Sequence, residues 1–118
     1  MTLRGRGVLI TSGPTREPID PIRFLTNASS GAMGFALAAA ARAAGARVVV
    51  VSGPTRLAPP AGTAVVRVST ALEMRREVLK RSSRADVMIA AAAVSDWRVR
   101  RPAAHKIKRS SSALRLTL

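Results

Sequence analysis

The sequence predicts an α/β protein: a Rossmann-like three-layer fold with a parallel sheet between helices. Three observations carry that prediction. Four short apolar runs, at residues 7–12, 47–51, 64–68 and 86–94, are continuous rather than alternating, as strands covered on both faces require. Two helix-forming stretches, 31–44 and about 70–83, lie between these runs, so strand and helix alternate. The runs also end in glycine, proline or serine, which places polar turns where open parallel sheets bind their ligands.

Each element has its own local justification. Gly7 to Ser12 is a buried strand that stops at Gly13-Pro14. Residues 15–28 lack a period and contain Pro18 and Pro21, so they read as an ordered functional loop. From Gly31 to Ala44 the alanine, leucine and methionine content favours helix, and Gly45 supplies the stop. Residues 47–51 form the second strand, closed by Ser52-Gly53-Pro54, and residues 57–62 are a loop. Residues 64–68 are the third strand. Ser69 or Thr70 then caps a helix, with Glu73 at the capping-box position. Residues 86–94 are a fourth buried strand, 97–112 a flap or loop, and the apolar alternation of 113–118 a terminal strand.

Composition narrows the function. A chain of 118 residues is one domain, and 47% hydrophobic residues with 3% aromatics imply a core of valine, alanine, leucine and isoleucine. With no cysteine, one histidine (His105, read as a surface residue) and six carboxylates, a structural metal centre or a histidine relay is not expected. The amino-terminal residues lack a signal-peptide h-region and no apolar run spans a bilayer, so a cytoplasmic protein without a membrane partner is expected. The net charge of +14 suits a polyanionic ligand. The basic residues are dispersed, and Phe24, Phe35 and Trp97 make no stacking platform, so specific nucleic-acid binding is not expected.

Small residues at the mouth of the first helix leave backbone N–H groups open to an anion. The spacing does not match G-x-G-x-x-G or a P-loop, and Ser52 and Gly53 stand where NAD proteins carry a ribose-binding acid. A nucleotide site remains compatible with the sequence; a standard NAD site is disfavoured. An NAD(P)-binding short-chain oxidoreductase-like domain and a basic nucleic-acid-binding module are the alternatives, to be distinguished by NADPH affinity and by the salt dependence of oligonucleotide binding.

The block from Ile10 to Gly34 resembles the opening of the phosphopantothenoylcysteine synthetase family, a module often found as the C-terminal half of the bifunctional coenzyme A biosynthesis flavoprotein. The resemblance continues through residues 51–54, 70–74, 91–97 and 106–108, in family order, and covers a core of about 8–109. It implies a ligase that joins 4′-phosphopantothenate to L-cysteine through an acyl-cytidylate, with CTP as co-substrate and Mg2+. A homodimer is implied as well, while no FMN is expected on this chain.

The resemblance also assigns roles to individual residues. Asn27 is similar to the family asparagine at the acyl-nucleotide, where an amide donor stabilises a developing oxyanion. Arg23 is similar to an arginine near the substrate carboxylate or phosphate. Gly13, Ser29, Ser30, Gly31 and Gly34 would bind nucleotide phosphate. Ala90, Ala91, Ala92 and Ala93 would offer backbone groups to the nucleotide and pantothenate, with Asp96 beside them. Lys106 would sit on a flap that closes over the transferred phosphate. No metal-ligating residue is assigned. Relative to the family, the sequence is truncated after this core. An inactive or weak piece of a synthetase, a half complemented by a second polypeptide, and a binding module all remain open.

Overall fold

The computed structural model describes residues 2–118. Four parallel strands form one sheet: β1 (Gly7–Ser12), β4 (Arg47–Ser52), β5 (Ala64–Arg67) and β6 (Val87–Ala90), in the order β5-β4-β1-β6. Helices α1 (Ala32–Ala43) and α2 (Ala71–Ser82) pack on opposite faces, each against β1 and β4. This is the expected three-layer architecture. The period-2 alternation of the strands divides the core. Val8, Ile10, Val48 and Val50 meet Phe35, Ala38 and Ala41 of α1. Leu9 and Val51 meet Met74 of α2, together with Val68. The small alanines of α1 let it lie close to the sheet where aromatic side chains are scarce.

Strand order reverses at β1, with β4 on one side and β6 on the other. The two crossovers diverge there and open a crevice beyond the carboxyl ends, the position where such sheets bind ligands.

Three expectations change in the structure. Residues 15–28 are not an aperiodic loop: β2 (Arg16–Pro18) and β3 (Phe24–Thr26) pair antiparallel, with Glu17 opposite Leu25. Pro18 is tolerated because a short ribbon is all edge. The expected strand 86–94 is shorter and not buried. It ends at Ala90, and Val87 and Met88 are 42% and 48% exposed, because β6 is an edge strand and α2 packs over β1 and β4 instead. Residues 113–118 form no strand; Arg100 N–H donates to the Thr117 carbonyl at 2.8 Å, with no ladder beyond it. Alternation favours a strand only where a neighbour is available to pair.

The helix ends follow the sequence signals. Thr70 is the N-cap of α2 and its hydroxyl accepts the Glu73 N–H at 3.1 Å, while the Glu73 carboxylate accepts the Ser69 N–H at 2.9 Å. Buried Glu17 accepts the Ala71 N–H at 3.0 Å, so the β2–β3 ribbon is fastened to the start of α2. No described helix is long and apolar enough to cross a membrane.

Candidate functional site

The crevice is built by close approach of backbone. At Gly34, in the first turn of α1, a Cβ would overlap the Ser12 side chain at the end of β1. At Gly53, just past β4, a Cβ would overlap the Pro14 carbonyl oxygen. Glycine alone allows α1 and the β4 turn to converge on the Ser12-Gly13-Pro14 segment. Ser12, fully buried, donates its hydroxyl to the Gly31 carbonyl at 3.1 Å and locks the junction. Gly13, Gly31 and Gly34 are therefore brought together. Part of the helix mouth is already capped: Gly31 N–H donates to the Ser29 hydroxyl (3.3 Å) and Ala32 N–H to that of Ser30 (3.2 Å). The Met33 and Gly34 amides belong to the first turn, which leaves N–H groups without intrahelical acceptors.

After Ala90 the chain stays beside the β1 extension. Ala91 N–H donates to the Thr11 carbonyl, Ala92 N–H to the Thr11 hydroxyl and Ala93 N–H to the Gly13 carbonyl. The Ala93 carbonyl accepts the Thr15 N–H at 3.3 Å, and Ser95 N–H donates to the buried Thr15 hydroxyl at 2.8 Å. These alanine amides and the Ala93 carbonyl are engaged within the protein, so the backbone groups left for a ligand are the Ala91 and Ala92 carbonyls.

Asn27 spans the switch point. Its Nδ2 donates to the carbonyls of Ala93 (3.2 Å) and Val94 (3.3 Å), joining the end of the ribbon to the segment after β6. Both amide hydrogens are used, and Oδ1 is the atom left to a ligand. A donor role toward an oxyanion requires one of these two bonds to be exchanged.

Beside Asn27 lies a cleft of about 750 Å³. Asn27, Ser29 and Ser30 line it together with Arg16, Arg56 and Arg67, and no carboxylate does. Arg16 is braced by its own ribbon, with its guanidinium carbon 4.4 Å from the centre of the Phe24 ring. Thr55 donates its hydroxyl to the Ser30 carbonyl at 2.6 Å and holds the facing wall. Such a cleft suits a phosphorylated ligand.

The remaining expected residues are not on this cleft. Arg23 ion-pairs with Asp20, and its guanidinium also donates to the Ile107 carbonyl at 3.3 Å. Burial would raise the Asp20 pKa, but the backbone N–H groups of Ile107, Ile22 and Arg23 and the Arg23 side chain outweigh it, holding the carboxyl at about 2. Lys106 and Asp96 are exposed and do not line the cleft. No group of three or more histidine, aspartate or glutamate side chains that could hold a metal forms among the described residues.

The whole arrangement has relatives. A sequence profile of the DNA/pantothenate metabolism flavoprotein C-terminal domain matches residues 3–118. The chain belongs to that family. It is 49% identical over 116 residues to the coenzyme A biosynthesis bifunctional protein CoaBC of Vibrio cholerae, and 46% identical over 117 residues to that of Bacillus subtilis. Each alignment covers 98% of this chain and 29% of the relative, so the chain spans less than a third of the length of these curated proteins. Among solved structures, the C-terminal domain of a CoaBC protein superposes with a TM-score of 0.80 at 49% identity, covering 84% of this chain and 50% of that one. The DNA/pantothenate metabolism flavoprotein from Streptococcus pneumoniae gives 0.75 at 28% identity, covering 80% and 42%.

Within this member of the flavoprotein C-terminal domain family, sequence reasoning missed the arginine wall. Arg56 lies just past Ser52-Gly53-Pro54 and Arg67 closes β5, so both stand at carboxyl ends of strands, where the ligand rule applies. Arg16 was hidden in the segment read as a loop. In a chain with 20 basic residues, no single arginine stands out until the sheet gathers three of them.

Proposed function

We propose that this chain carries part of a phosphopantothenate–cysteine ligase that uses CTP. Membership in the family and near-half identity to proteins named for coenzyme A biosynthesis support the reading. The observation that carries it is Asn27, held across the sheet's switch point beside a cleft lined by three arginines and no carboxylate.

The chemistry runs in two steps. A carboxylate oxygen of 4′-phosphopantothenate attacks the α-phosphorus of CTP; the new P–O bond forms as the α–β bridge breaks and pyrophosphate leaves. The cysteine amine then attacks the acyl carbon, the acyl–oxygen bond breaks, CMP departs and the ammonium loses its proton. The demand is to hold two polyanions together and to stabilise charge at phosphorus and at the acyl oxygen. Ser29, Ser30 and the arginine wall meet the first demand. Asn27 meets the second by exchanging its longer bond, to the Val94 carbonyl, for one to the acyl oxygen. Ala90, Ala91, Ala92 and Ala93 border the nucleotide and pantothenate, Ala91 and Ala92 through their carbonyls and Ala93 by packing, since its carbonyl already serves Thr15 and Asn27. Asp96 and Lys106 close in from the segment after β6. The described residues build no cage for Mg2+; in this reading the ion would arrive with the nucleotide and would supply charge neutralisation for the triphosphate. A homodimer in the cytoplasm completes the proposal.

Titration calorimetry of the chain with CTP, then ATP, in the presence of Mg2+ and 4′-phosphopantothenate tests it. CTP binding that is lost in Asn27→Asp, with pyrophosphate released only when phosphopantothenate is present, is the expected result. A folded chain that neither binds CTP nor releases pyrophosphate overturns it.

A further inference from the structure

Asp20 is nearly fully buried, yet the ligase reading leaves it without a task. Its Oδ1 accepts the N–H groups of Ile22 (2.9 Å) and Arg23 (2.8 Å), an Asx turn that shapes the β2–β3 connection. Its Oδ2 faces elsewhere. It accepts the N–H of Ile107 at 3.1 Å, from a residue 87 positions away, and the Arg23 guanidinium. That guanidinium in turn donates to the Ile107 carbonyl at 3.3 Å. Both backbone groups of Ile107 are thus held by one ion pair.

The segment around Ile107 has little else to keep it in place. Residues 97–112 contain no helix or strand, and the neighbouring main-chain attachment to the ribbon is Ala103 N–H to the Ile19 carbonyl at 2.9 Å. Ile107 borders a cavity of about 500 Å³ with Ile19 and Val99 rather than filling a core. Lys106, adjacent to the anchored residue, is exposed and makes no hydrogen bond or ion pair among the described residues.

We propose that Asp20 is a positioning residue: with Arg23 it clamps the Ile107 backbone, and so sets where the Lys106 ammonium stands relative to the site. The role of Lys106 toward phosphate rests on the ligase reading; the clamp itself does not. A buried carboxylate suits this task because its bonds to N–H groups are charge-assisted, and because losing one partner leaves an unsatisfied polar group in a dry place. Asn in its place keeps the shape but sets an amide donor against one of the N–H groups that Asp20 now accepts.

Amide hydrogen exchange of the full chain reads the clamp directly. In Asp20→Asn the Ile107 amide is expected to exchange at least about tenfold faster, with the β1 and β4 amides unchanged. Equal exchange at Ile107 in the folded variant overturns the proposal. Should Asp20→Asn fail to fold, Ile107→Pro removes the donor while leaving Asp20 and Arg23 in place, and Ile107→Ala controls for the lost side chain. Faster exchange at Lys106 and Lys108 in the proline variant than in the alanine one then supports the clamp, and equal exchange overturns it. A positioning role also requires coupling. The CTP affinity lost in Asp20→Asn should add little to that lost in Lys106→Gln, whereas full additivity would reduce Asp20 to a structural residue. A parent chain that does not bind CTP defeats the ligase reading, while the exchange experiment still decides the clamp.

Discussion

Two regions of this molecule meet at the same sheet edge and are held by different means. Residues 7–54 are fitted tightly: β1 is buried along its whole length, and Gly34 and Gly53 leave no room even for a methyl group. Residues 91–118 carry little regular structure and are held by a few specific bonds, through Asn27, Thr15 and the Asp20–Arg23 pair. The first region places atoms by packing, the second by hydrogen bonds. One wall of the crevice is thus fixed by close packing and the other by a handful of hydrogen bonds.

The largest effect should come from breaking the rigid wall. Gly53→Ala places a Cβ on the Pro14 carbonyl and is expected to destabilise the fold by roughly 3 kcal/mol, measured by urea denaturation. Thr70→Ala removes the α2 cap, away from both walls, and should cost about 1 kcal/mol in the same assay. The second wall is sharpened by pH. The folded Asp20 pKa of about 2 lies below the ordinary value of 3.8, so its stabilising contribution is complete above that ordinary value and is lost as pH falls toward the folded one. Thermal melts between pH 4 and pH 2 should therefore show a steeper loss for the parent than for Asp20→Asn. Smallest of all, Leu114→Ala should stay within about 0.5 kcal/mol, because this leucine is 53% exposed on the terminal segment. A larger loss would mean that the terminal segment is packed like the first region.

What could be read in advance follows the same division. Gly13, Ser29, Ser30, Gly31, Gly34 and Asn27 are gathered within one continuous stretch, so a local motif announced them. Arg16, Arg56 and Arg67 come from three different strand ends and share a cleft only because β1, β4 and β5 lie side by side. Arg23 could be singled out from the sequence, but its partner Asp20 could not. The Asp20–Ile107 bond joins a turn to a segment 87 residues away, which no periodicity reports.

The sequence by itself determined the alternation of strands and helices, the Thr70–Glu73 cap and the gathering of the candidate site's motif residues at the carboxyl edge. Those features depend on apolar continuity, on side chains within four residues of one another, and on the polarity of strand ends. Only the tertiary structure decided that β6 is an exposed edge, that 113–118 finds no strand to join, and that one buried carboxylate clamps the Lys106 segment. Each of these depends on which distant element lies alongside, and pairing, burial and desolvation are properties of neighbours in space rather than of residues in order.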